Sequence, residues 1–138
     1  MAAEVKPDFS GEYVLNRHAS TLGAGADAVR SAVLRIEHRE PMVRYQATFA
    51  FDDKTFEYSL ERVSDGREVA DQREPTTVSS LYWDGNALVF MDRTKGPDSE
   101  LTMSWRYELL EGRRLLRAVE HIRGDGRDQD NVWVFERR

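Results

Sequence analysis

Four Asp-Gly or Glu-Gly pairs stand between runs of alternating apolar and polar residues, and no other feature of the chain restricts its fold as far. They lie in "RVSDGREVA" (62–70), "LYWDGNALVF" (81–90), "ELLEGRRLL" (108–116) and "IRGDGRDQD" (122–130). Glycine supplies the positive φ that tight hairpin turns demand, so each pair marks a reversal between two antiparallel strands. Asp52-Asp53 and Gly96-Pro97-Asp98 read as two more reversals.

The runs between the turns have a period of two. In 100–109, Leu101, Met103, Trp105, Tyr107 and Leu109 share one face, while Thr102, Ser104, Arg106 and Glu108 share the other. Val43, Tyr45, Ala47, Phe49 and Phe51 alternate in the same way, as do Phe56, Tyr58 and Leu60. The pattern predicts about ten strands, near 10–16, 32–39, 42–51, 54–63, 67–73, 77–83, 87–94, 99–110, 114–123 and 130–137. Such a meander leaves two exposed edges unless it closes, so the expected fold is all-β, a single antiparallel up-and-down barrel of about 8–10 strands. The Trp83-Asp84 pair suggests a propeller blade, but it occurs once, and a propeller needs a unit repeated about every 40–45 residues.

Residues 25–38, "GADAVRSAVLRIEH", satisfy two periods at once. Ala26, Val29, Val33 and Ile36 fit a helix, whereas Leu34, Ile36 and His38 fit one side of a strand. The expectation is at most one short helix, near residues 25–31, leading into a strand.

Composition narrows the function classes. With 138 residues, 40% hydrophobic and 33% charged, the chain can bury one domain core. No cysteine is present, which removes disulfides, thiolate metal sites and thiol catalysis together. The net charge of −5 comes from 25 acidic and 20 basic residues interleaved along the chain, so nucleic acid is not an expected partner. No run approaches the roughly 20 apolar residues of a membrane span, and "MAAEVKPDFS" lacks the basic start and apolar stretch of a signal peptide. The expected compartment is the cytoplasm for the chain as it stands, and the periplasm or exterior for a chain from which a signal peptide has been cut. The expected state is a monomer or homodimer.

Taken in order, "FSGEYVL" (9–15), a short link, the hairpin series, "LYWDGNALVF", "YELLEGRRLL" and the closing "VWVFERR" (132–138) resemble the calycin superfamily. More narrowly, they resemble intracellular fatty-acid-binding proteins and small bacterial lipocalin-like domains. The resemblance implies a flexible N-terminus over 1–7, one lipocalin-like barrel domain over 8–138, and a small hydrophobic ligand inside. It also implies a carboxylate clamp of two Arg and a Tyr, and this chain departs from it. The clamp positions fall on Tyr107, Trp133 and Phe135. The link from Leu15 to Ser31 is also shorter than the helical lid of that group.

If Trp133 and Phe135 face inward, Asn131 does too, and Leu116, Ala118, Glu120 and Ile122 face inward on the preceding strand. The expected ligand-binding wall is therefore Trp105, Tyr107, Glu120, Asn131, Trp133 and Phe135, aromatic with a few polar points. Aromatic residues at this spacing also serve as the plain filling of a small barrel. A buried Glu120 needs a partner, for which Arg106 and His121 are the candidates, unless the register is shifted by one residue.

Three histidines, His18, His38 and His121, lie on separate elements without metal-ligand spacing, so no metal or cofactor is expected; His38 is the one candidate for an inward haem ligand. No Gly-x-Ser-x-Gly, phosphate-cradling loop or dinucleotide fingerprint occurs. Three functions fit: a barrel that carries or senses a small hydrophobic or amphipathic ligand, which is the leading expectation; a barrel isomerase, cyclase or hydratase using Glu120 or His38 as base with Tyr107; and a filled barrel acting through its surface.

Overall fold

The structure is a computed structural model that describes residues 6–70 and 76–138. Ten strands form one antiparallel sheet: β1 (Gly11–Leu15), β2 (Ser31–Arg39), β3 (Met42–Ala50), β4 (Thr55–Val63), β5 (Val69–Ala70), β6 (Thr77–Asp84), β7 (Ala87–Lys95), β8 (Glu100–Leu110), β9 (Leu115–Gly124) and β10 (Arg127–Arg137). Their order is β4-β3-β2-β1-β10-β9-β8-β7-β6-β5. Neighbours in sequence are thus neighbours in space except β4 and β5, which stand at the two edges, and β1 pairs with β10 to join the two ends of the chain.

The all-β, up-and-down expectation holds, and closure has one seam. Instead of a ladder between β4 and β5, side chains bridge β4 to β6, with Arg62 Nε donating to Ser79 Oγ at 3.0 Å. The expected strand at 67–73 runs into undescribed residues, and its described part is Val69–Ala70 alone. The expected flexible N-terminus over 1–7 lies mostly outside the described residues. Of its described part, Lys6 Nζ donates to the Gly85 carbonyl at 3.0 Å.

The helix expected near 25–31 shrinks to one 3-10 turn, Ala26–Ala28. Alanine propensity loses because Val29 is already extended and the Arg30 amide donates to the Ala50 carbonyl at 2.7 Å, which starts the β2–β3 ladder. Ala32, Leu34, Ile36 and His38 then point inward and are buried.

The hairpin turn in "LYWDGNALVF" lies one residue later than its Asp-Gly pair suggests. Asp84 is paired with Ala87, so the loop is Gly85-Asn86, and the Gly85 φ of 61° is what the turn requires of a glycine. Asp84 is a strand end that accepts a 2.5 Å bond from Arg106. A different constraint acts at Gly124, where φ is 104° and a Cβ would stand 2.0 Å from the Glu100 carbonyl oxygen. Only glycine lets β8 and β9 approach that closely.

Inward residues of all the long strands form one core, led by Phe9, Tyr13, Leu34, Leu116, Trp133 and Phe135. One end of the barrel is plugged by residues 6–10 lying across its hairpins. The Phe9 ring sits 6.0 Å from both His38 and Trp83, the Tyr13 hydroxyl donates to the Phe9 carbonyl at 2.7 Å, and Arg113 donates to the Asp8 carbonyl at 2.7 Å. The opposite end carries the 3-10 turn and the β3–β4 and β9–β10 turns.

Candidate functional site

The sheet register determines what meets inside. Glu120 on β9 stands opposite Asn131 on β10 and opposite Trp105 on β8, and Trp133 follows Asn131 on the same inward face. Glu120, Asn131, Trp133 and Phe135 are buried. The alternation that places them there is the one the sequence predicts, with Leu116, Ala118 and Ile122 beside them.

Glu120 is not satisfied by Arg106 or His121, the partners expected from sequence. Both lie on the outer face: Arg106 pairs with Asp84 and Glu108, and His121 with Asp130. The partners are neutral donors instead. Asn131 Nδ2 donates to Glu120 Oε1 at 2.8 Å and Trp133 Nε1 donates to the same oxygen at 3.2 Å. A backbone N–H can only donate, so the 2.7 Å bond from Gly23 turns Asn131 Oδ1 toward the link and its amide nitrogen toward Glu120. Thr21 bridges to Val132, and Gln129 Nε2 reaches the Ala24 carbonyl at 2.7 Å, which ties the link to β10. Burial pushes the Glu120 carboxyl above its ordinary value, and the Asn131 and Trp133 bonds hold part of that rise back.

Around this carboxyl the rings form a continuous wall. Trp105 and Tyr107 stack at 6.3 Å, Trp133 and Phe135 at 6.5 Å, and Trp105 meets Trp133 at 6.1 Å. Phe49 packs edge-on against Trp133 at 5.9 Å. Across the lumen Tyr45 lies 6.1 Å from Tyr107 and 6.2 Å from Tyr58, and the Tyr45 and Tyr107 hydroxyls are hydrogen-bonded. Burial raises both phenols well above their ordinary value, so both stay neutral.

This wall encloses space. A partly open cavity of about 300 Å³ is bounded by Glu120, Asn131, Trp105, Trp133, Phe49 and the 3-10 turn. It shares Phe49, Phe56 and Trp105 with a second cavity of about 290 Å³ beside Tyr45, Tyr58, Asp92 and Met103. Toward the plugged end the lumen narrows to about 40 Å³ between Phe9, Arg62, Leu81 and Tyr107.

Of the six expected wall residues, five border these cavities; Phe135 lies one ring deeper, stacked on Trp133 in the core. His38 is inward but at the plugged end, away from Glu120. Its Nδ1 accepts the Phe9 N–H at 3.1 Å, and its Nε2 lies 3.5 Å from Glu40. Among the described residues no cluster of His, Asp and Glu is arranged to hold a metal. Asp92 and Arg62 were missed from the sequence, though each lies in phase with inward neighbours, Asp92 with Leu88 and Phe90 and Arg62 with Tyr58 and Leu60.

No protein-family model matches the chain, and no curated protein matches it significantly. Solved structures do. The fluorescent protein UnaG aligns over 94% of this chain and 97% of its own, with a TM-score of 0.65 and 15% identity. A secretory abundant heat soluble protein from Ramazzottius varieornatus aligns over 99% of this chain and 100% of its own, with a TM-score of 0.65 and 12% identity. A Schistosoma mansoni fatty acid binding protein, solved in complex with arachidonic acid, aligns over 94% of this chain and 96% of its own, with a TM-score of 0.56 and 10% identity. Identities this low speak for backbone alone, and on that ground the chain shares the curled antiparallel β-sheet fold of these structures.

Proposed function

We propose that the protein binds a small hydrophobic or amphipathic molecule inside the barrel, as a carrier or sensor. The observation that carries this reading is the pair of adjoining cavities of about 300 and 290 Å³, walled by aromatic rings with a few polar points. Ligand sites have about this size and make-up. A barrel filled by its own side chains would leave no such space at Glu120. The solved structures of the same fold include a fatty acid binding protein with a bound fatty acid, which supports a role in binding without naming this chain's ligand.

Nile red, an uncharged apolar dye, tests the reading. The expected result is saturable binding of one dye per chain with a blue shift of its emission. Met103→Trp, which fills the second cavity, weakens binding about tenfold or more, the loss a blocked hydrophobic pocket implies. Native mass spectrometry of the purified protein is expected to reveal a small apolar passenger or an empty barrel that takes the dye. Absence of saturable dye binding by the wild-type chain overturns the proposal.

A further inference from the structure

We infer that the lumen selects a ligand whose polar end is an amine-type hydrogen-bond donor and disfavours a carboxylate; this rests on the reading that the lumen binds an apolar molecule. A carboxylate borders each of the two adjoining cavities. Glu120 borders the first, only 5% exposed, and both of its bonds end on Oε1. Among the described residues Oε2 accepts no hydrogen bond and no Lys, Arg or His forms an ion pair with this carboxyl; both of its hydrogen-bond donors are neutral, and the one cation whose charge reaches it is Arg127. The second cavity adds the Asp92 carboxyl.

Among the described residues two cations border the lumen, one at each end. Arg127 stands at the mouth, beside the exposed β9–β10 turn. Arg62 borders only the 40 Å³ space at the plugged end, where Nε is committed to Ser79 and Nη1 to the Glu61 carbonyl.

An ammonium entering the first cavity meets Oε2 of a buried carboxyl and forms a charge-assisted hydrogen bond with it. A carboxylate entering there passes the exposed Arg127 at the mouth and meets a like charge at the buried Glu120. The aromatic wall takes the apolar part of the molecule in either case, so the discrimination falls on the head group.

Three probes with one chain and different heads separate these terms: dodecylamine, dodecanol and lauric acid, each titrated below its micelle concentration and followed by calorimetry and by the fluorescence of Trp105 and Trp133. The expected order is amine, alcohol, acid, with amine over acid by about tenfold or more. Glu120→Gln is expected to weaken the amine about tenfold and to leave dodecanol within about twofold. Lauric acid as the tightest ligand, or an amine-to-alcohol ratio unchanged in Glu120→Gln, overturns the inference while the binding reading stands. Failure of all three probes together with Nile red overturns the binding reading, and the inference with it. The head-group series on the wild-type chain decides the question even if the variant does not fold.

Discussion

The two ends of this barrel are built from the same alternating strands and differ in what lies across them. At one end residues 6–10 cross the hairpins and insert Phe9 between His38 and Trp83, so that rings, a buried histidine and the Tyr13 hydroxyl close the space. At the other end the link from Asn16 to Arg30 is held at its rim by Gly23 and Ala24, and the interior behind it stays open around Glu120. Stability is expected to reside at the first end and selectivity at the second. A closed end can be packed to crystal-like density, whereas an open end must leave polar groups ready for a ligand.

The largest effect that checks this contrast is Phe9→Ala. Loss of a fully buried ring at the plugged end is expected to cost about 3–5 kcal/mol in urea unfolding. Phe49→Ala, which borders the open lumen, is expected to cost well under half of that. Equal losses would break the comparison.

Gly124→Ala comes next, at about 2–3 kcal/mol, because the new Cβ meets backbone at a positive φ. It would show that the open end depends on backbone contact more than on side-chain packing. Tyr13→Phe removes only the bond to the Phe9 carbonyl and is expected to cost about 1 kcal/mol by the same measurement.

The pH dependence of Glu120 sharpens the other side. Its carboxyl titrates above the ordinary 4.5 in the folded chain, so the folded state binds more protons than the unfolded state between the two values. Stability from this group is full below 4.5 and falls as pH rises through the raised value. Urea midpoints of wild type and Glu120→Gln measured from pH 4 to 8 are expected to diverge in the variant's favour across that window, about as far as the raised value lies above the ordinary one. Parallel curves would mean that Glu120 is solvated. The smallest expected change in stability, within about 0.5 kcal/mol, belongs to Phe56→Ala, since that ring is 54% exposed at the mouth. Its expected readout is faster Nile red dissociation in stopped-flow fluorescence.

Much of the interior was legible from the chain. Once Trp133 and Phe135 are set inward, a period of two carries Asn131, Glu120 and Trp105 to the same surface, and β8, β9 and β10 hold that register over their length. Asp92 and Arg62 obey the same period, but the period alone does not single them out, because burying a charge is costly without a partner. The partner of Glu120 was not legible. Asn131 is oriented by the amide of Gly23, more than a hundred residues away in sequence, and no local pattern encodes that contact.

By itself, then, the sequence determined the class and order of the strands, most of the inward set on each, and the aromatic side chains at Tyr107, Trp133 and Phe135, where the resemblance implies a clamp of two Arg and a Tyr. Turn chemistry and side-chain alternation are local, and they act wherever the residues stand. Only the tertiary structure decided that residues 6–10 plug one end, that β4 meets β6 through side chains, that the helix expected near 25–31 is one 3-10 turn, and that Glu120 faces an open cavity with two neutral donors. Each of these depends on which distant segments are brought together, and closing the sheet is what brings them together.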